Sequence, residues 1–160
     1  VRYNAIAINQ GDEIHFTFRC TQNAYAFGAL VHAGFENEAN GYNRPVCGAY
    51  CHTSANSYRL KVMHSAVSHQ MTGSPTYSHT DVLGIRMQAN GVAVVTKNGV
   101  DMPGGECPAN TVWPVYAGAA IYTDGGQLDQ MTLVTPPPPP PPPPPRTVLG
   151  IARGASRAAW

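Results

Sequence analysis

Charge is scarce in this chain. Lys, Arg, Asp and Glu make up 12 % of its 160 residues, about half of the roughly 25 % usual for soluble domains. The net charge is +1, too weak a field to argue for nucleic acid. Near-zero charge favours association, so glycans or neighbouring subunits are expected to keep the surface solvated or to cover it. No Asn-X-Ser/Thr acceptor occurs, which excludes N-linked glycans. No apolar run is long enough to cross a membrane as a helix, which needs about 18 residues or more. Aromatic residues are few, at 9 %.

Recognisable site chemistry is missing too. The histidines, His15, His32, His52, His64, His69 and His79, are scattered. Zinc sites need clustered Cys and His at short spacings. Cys47-X3-Cys51-His52 comes nearest and reads as a structural loop. Glu36-X-Glu38-X-Asn40-Gly41 opens like an EF-hand loop, but Cys47 stands where the bidentate acid belongs. Nothing resembles a nucleophile elbow or a paired-carboxylate motif. Asp81, Asp101, Asp124 and Asp129 read as turn residues, for which Asp is suited. Trp113, beside Pro114, reads as core. No catalytic residue, metal or cofactor is expected, and the chain is read as a non-enzyme.

What is present is proline. Pro136, Pro137, Pro138, Pro139, Pro140, Pro141, Pro142, Pro143, Pro144 and Pro145 follow one another without interruption. Each ring fixes φ and removes a backbone donor. Such a run is expected to form a polyproline II rod, about 31 Å long at about 3.1 Å per residue. It divides the chain into a head (residues 1–135), the rod (136–145) and a tail (146–160). The tail carries Arg146, Arg153 and Arg157 and no acid, while the head has more acids than bases.

The head is expected to be all-β. Ile14, Phe16, Phe18 and Cys20 alternate with polar residues, the pattern of a half-buried strand. The stretches 24–31, 58–64, 82–88, 92–97, 112–122 and 131–134 read as further strands. Asn90-Gly91 and Asn98-Gly99 are hairpin signals, and Pro103-Gly104-Gly105 reads as a turn. Repeated short strands with frequent turns predict an antiparallel β-sandwich. The polar stretch 36–56 reads as a disulfide-tied loop. Four cysteines, Cys20, Cys47, Cys51 and Cys107, predict two disulfides and an oxidising compartment. Three pairings are open. The favoured ones join Cys47 and Cys51 to different strands, one through Cys20 and one through Cys107. The chain starts at Val1 without a Met, which is read as a processed or partial chain, secreted or at the cell surface.

Two resemblances follow. Asp81-Val-Leu-Gly-Ile-Arg-Met87, Gly91-Val-Ala-Val-Val-Thr-Lys-Asn-Gly99 and Trp113-Pro-Val-Tyr-Ala-Gly-Ala-Ala-Ile-Tyr122 resemble the C-terminal half of lectin-like sandwich domains. This implies a jelly-roll or concanavalin A-like fold, with no sugar-binding residue that can be mapped. The contiguous prolines resemble the hydroxyproline-rich glycoproteins of plants and green algae, extensins and pherophorins. That implies hydroxylation and short O-linked arabinose or galactose chains on the prolines at 136–145. It departs from extensins in lacking Ser-Pro repeats, Ser74-Pro75 being the lone example.

The expected function is that of a structural subunit of an extracellular glycoprotein fibre or matrix. Its partners are copies of itself joined head to tail, with matrix polysaccharide as a further partner. Val148, Leu149, Ile151 and Trp160 are the expected self-association residues. The alternatives are a secreted carbohydrate-binding module with a proline linker, and an intracellular polyproline ligand.

Overall fold

The computed structural model describes residues 6–21, 25–32, 45–54, 57–65, 67–121 and 127–135. The prolines at 136–145 and the tail, with Val148, Leu149, Ile151 and Trp160, lie outside them. The alternation at the start of the chain becomes β1 (Ile14–Cys20), whose apolar residues are buried and whose polar residues are half-buried. The next apolar run becomes β2 (Ala26–His32), buried at every position but the last. There follow β3 (Pro45–Ser54), β4 (Ser57–His64), β5 (Val67–Gln70), β6 (Leu83–Met87), β7 (Ala93–Lys97), β8 (Val100–Glu106), β9 (Val115–Ile121) and β10 (Leu128–Val134). Among the described residues there is no helix.

The strands form two five-stranded antiparallel sheets. The first has the order β10-β1-β6-β7-β8 and the second β5-β4-β3-β2-β9. Phe16, Phe18, Leu83, Ile85 and Val95 of the first meet Leu30, Leu60, Cys47, Ala49 and Cys51 of the second in one buried core. The sheets touch so closely that Gly28 has no room for a side chain. A Cβ there would lie 2.3 Å from the Phe18 ring.

Both Asn-Gly steps turn the chain. Asn98 (φ 53°) and Gly99 (φ 80°) join β7 to β8 as a two-residue hairpin, whose primed turn needs positive φ at both positions. Gly91 (φ 83°) sits between β6 and β7, where a Cβ would meet the Asn110 carbonyl at 2.9 Å.

Three sequence expectations are corrected. Residues 45–54 are not part of a loop but the central strand β3, and 36–44 and 55–56 of that stretch lie outside the described residues. Pro103-Gly104-Gly105 is not a turn. It lies inside β8, an edge strand, where Gly104 has φ 71° and the register with β7 shifts. Such an irregularity suits an edge, where it blunts the exposed ladder. The short edge strand β5 has no counterpart in the expected strands.

The cysteine framework is met at one pair. Cys47 of β3 is bonded to Cys107, just past β8, with Cα atoms 5.7 Å apart. The bridge therefore ties the second sheet to the first. Cys20 and Cys51 are buried thiols.

Candidate functional site

The outer faces of the two sheets differ in chemistry. On the first sheet, the polar alternates of β1 point away from the core. His15 lies opposite Arg86 of β6, and its Nε2 is 3.0 Å from the Thr96 hydroxyl of β7. Gly84 makes that hydrogen bond possible, because a Cβ there would lie 2.8 Å from the Thr96 oxygen and 3.0 Å from Nε2. Arg86 forms an ion pair with Asp101 of β8 at 2.9 Å and donates to the Gly99 carbonyl at 2.9 Å. Burial, then the Arg86 charge, hold His15 below the ordinary histidine range, with Asp101 opposing. A cleft of about 380 Å³ opens beside this row, lined by Glu13, Ile14, His15, Arg86, Met87, Gln88 and Val134. Val134 ends β10, so the cleft lies where the chain leaves the sheet for the proline run.

The second sheet presents the opposite character. Phe27, Ala29 and Val31 of β2, Tyr50 of β3 and Met63 of β4 form a second apolar cluster, with Tyr25, Tyr116 and Ala120 packed against it. Their neighbours in sequence, such as Leu30, Ala49 and Val62, belong to the core between the sheets. Alternation therefore places the second cluster on the far side of the sheet. His52 completes the face, with its ring 5.0 Å from Tyr25 and 5.9 Å from Tyr50, edge-on to both. Burial, followed by the positive charges of Lys61 and Arg59, outweighs its own backbone hydrogen bond and lowers the His52 pKa. Both cations sit opposite this row, Lys61 across from Tyr50 and Arg59 across from His52.

Another opening, of about 270 Å³, lies at one end of the sandwich. His32, Pro45, Val46, His64, Ser65 and residues 108–112 line it. His64 stacks on His69 at 4.2 Å. Burial and the neighbouring imidazole both lower its pKa.

The expected residues are brought together only in part. Cys47 is consumed by the disulfide. Cys51 faces the core while His52 faces outward, so the Cys47-X3-Cys51-His52 spacing cannot enclose an ion. Among the described residues, no group of three or more His, Cys, Asp or Glu gathers that could hold a metal. Asp81 acts as a turn residue, accepting from the Ser78 amide at 2.7 Å and from the Asn98 amide group at 2.7 Å. Asp101 serves the ion pair, and Asp124 lies outside the described residues. Trp113 is half-buried against the core. Thr96 is buried, so the hydroxyl that meets His15 has no access to a substrate. Sequence reasoning missed the aromatic face. Its trace was the pair of two-residue steps Tyr25-Ala-Phe27 and Tyr50-Cys-His52.

No protein-family model matches this chain, and no curated protein matches it. Among solved structures, a tetrameric galectin from the ball sponge Cinachyrella sp. is similar over 86 % of this chain and 94 % of that one. The two share 10 % identity, with a TM-score of 0.46.

Proposed function

We propose that this chain is a non-enzymatic structural subunit of an extracellular glycoprotein fibre or matrix. The observation that carries this reading is the run of ten prolines that begins two residues beyond the end of β10, an edge strand of the head. A rod fused to an edge strand spaces one head from the next and offers a dense row of sites for hydroxylation and O-linked arabinose or galactose. The disulfide between the sheets supports an oxidising, secreted setting. The low charge supports glycans as the solvating layer. The head is a sandwich of jelly-roll type. The tail, through Val148, Leu149, Ile151 and Trp160, pairs with an edge strand of the next copy, since unpaired edges accept added strands. A head-to-tail contact that does not close into a ring grows into a filament.

The experiment is mass spectrometry of the native peptide spanning Thr135 to Arg146. The expected result is hydroxyproline bearing pentose or hexose. An unmodified peptide from the native source rejects the glycoprotein rod.

The aromatic face favours a second reading, in which the head also holds matrix polysaccharide. Tyr25 and Tyr116, half-buried on this face, are the residue type on which sugar rings stack, with Tyr50 buried in the same cluster, and Lys61 and Arg59 flank the row as donors. Polysaccharide pull-down with the full chain tests it. Retention that Tyr116→Ala leaves unchanged places any binding elsewhere.

A further inference from the structure

Three residues of β3 lie between its two inward cysteines, a separation of about 13 Å along a strand. Each meets a cysteine of the opposite sheet. Cys47 meets Cys107 and is bonded to it. Cys51 shares the buried core with Cys20, the last residue of β1, and with Tyr77. The Cys20 thiol reaches the Tyr77 hydroxyl at 3.8 Å, and the electrostatic influence of both Cys20 and Tyr77 on the Cys51 thiol places the three side chains side by side. Cys20 and Cys51 are 0 % exposed and Tyr77 is 4 % exposed, so the group lies wholly within the core. The arrangement at Cys51 thus repeats the one at Cys47, with a bond made in one place and two thiols in the other.

We propose that Cys20 and Cys51 are the site of a second disulfide between the sheets, made while the chain folds and closed to exchange once the sandwich has formed. The reaction needs a disulfide oxidant such as glutathione disulfide. One cysteine thiolate attacks the oxidant, forming a mixed disulfide and releasing one glutathione thiolate. The second cysteine thiolate then attacks the mixed disulfide, forming the Cys20–Cys51 bond and releasing the second. The protein loses two protons and two electrons, and the oxidant leaves as two thiols. Its intermediate carries a tripeptide on a sulfur that has no exposed surface in the folded head. That step therefore belongs to the open chain.

Folding then protects whichever state exists. Burial, and next the hydrogen bond and charge of Cys20, push the Cys51 thiol far above its ordinary pKa, against a smaller opposing effect from Tyr77. The thiolate is the reactive form, so a folded dithiol does not exchange. On this proposal the redox state of Cys20 and Cys51 is set by the conditions under which the head folds. The proposal does not depend on what the proline run does.

The test refolds the full chain from denaturant and reductant into a glutathione redox buffer. Thiols are then alkylated in denaturant without reductant, and the product is weighed and digested. No alkylated cysteine, with the Cys20 and Cys51 peptides linked to each other, is the expected result. Alkylation at both residues, or linkage of either to Cys47 or Cys107, overturns the pairing. A second measurement treats the native one-bridge form with glutathione disulfide in the absence of denaturant. Its two thiols should persist, converting only at the rate of unfolding. Conversion at a rate proportional to oxidant, without unfolding, overturns the closed-core part. The Cys20→Ala/Cys51→Ala variant, refolded in the same way, supplies the one-bridge reference for mass and thermal midpoint.

Discussion

Gly84 shows how much one missing side chain decides. Any Cβ at this position would meet the Phe16 carbonyl at 2.7 Å as well as the His15–Thr96 pair. Gly84→Ala should therefore break that hydrogen bond and press on β1, at a cost of about 1–3 kcal/mol. Urea unfolding checks it, and an unchanged midpoint would show that the strands shift at little cost. Protonation is the second effect at this scale. His15, His52 and His64 are all held below their ordinary value of 6.5, first by burial. A histidine lowered on folding takes up its proton more readily when unfolded. Its contribution to stability is thus complete above pH 6.5 and falls as pH drops below that, down through the folded value. At Asp81, burial raises the pKa, but hydrogen bonds from Asn98 and Ser78 and the charge of Lys97 win, so it lies below 3.8. Its stabilisation is present above 3.8 and lost as the pH falls through its folded value. The thermal midpoint should hold level above pH 6.5, decline below it, and decline again below about pH 4. A midpoint that rises from pH 6.5 to 5 would contradict these environments.

Legibility varied from strand to strand for physical reasons. β1 announces itself because Phe16 and Phe18 are large, alternate with polar residues and fill the core between the sheets. β3 hides because its core face consists of Cys47, Ala49 and Cys51, while its outer face begins with Gly48. Those small residues have little strand propensity of their own. They are strand residues because β2 and β4 pair with them on both sides. Of the candidate site, the Cys47–Cys107 tie was readable as one of the open pairings. The aromatic face was not, since it needs β2, β3 and β9 aligned before Tyr25, Tyr50 and Tyr116 share a surface. This difference should also appear in dynamics. β2 is an inner strand buried on both faces, whereas β5 and β8 are edges with mostly exposed residues. Amide exchange should be slowest in β2 and the middle of β3 and fastest in β5 and β8. Equal protection across the second sheet would mean that β5 is covered.

For the whole molecule, the two sheets differ on the sides turned away from their shared core, polar on the first and apolar and buried on the second, with the chain leaving from an edge of the first. If the tail joins copies, removing residues 147–160 should abolish filaments seen by electron microscopy while leaving the head's thermal midpoint within about 1 kcal/mol of its original stability, as for a change away from buried features. Filaments that persist without the tail would locate the joint elsewhere.

The position of β10 has a mechanical consequence. Its last residue, Val134, lies opposite His15 near the start of β1, and its first, Leu128, lies opposite Cys20 at the end of β1. Tension entering at Thr135 therefore pulls on the end where β1 begins. If the opposing force leaves through residues that precede β1, the two strands are peeled apart one rung at a time. If it leaves through the Cys20 end, the ladder is loaded in shear and its rungs share the force. No cysteine lies in β10, so the bridge at Cys47 does not restrain the strand. A Cys20–Cys51 bond would carry the load from the far end of β1 into the second sheet, and so convert a weak peel into a strong shear.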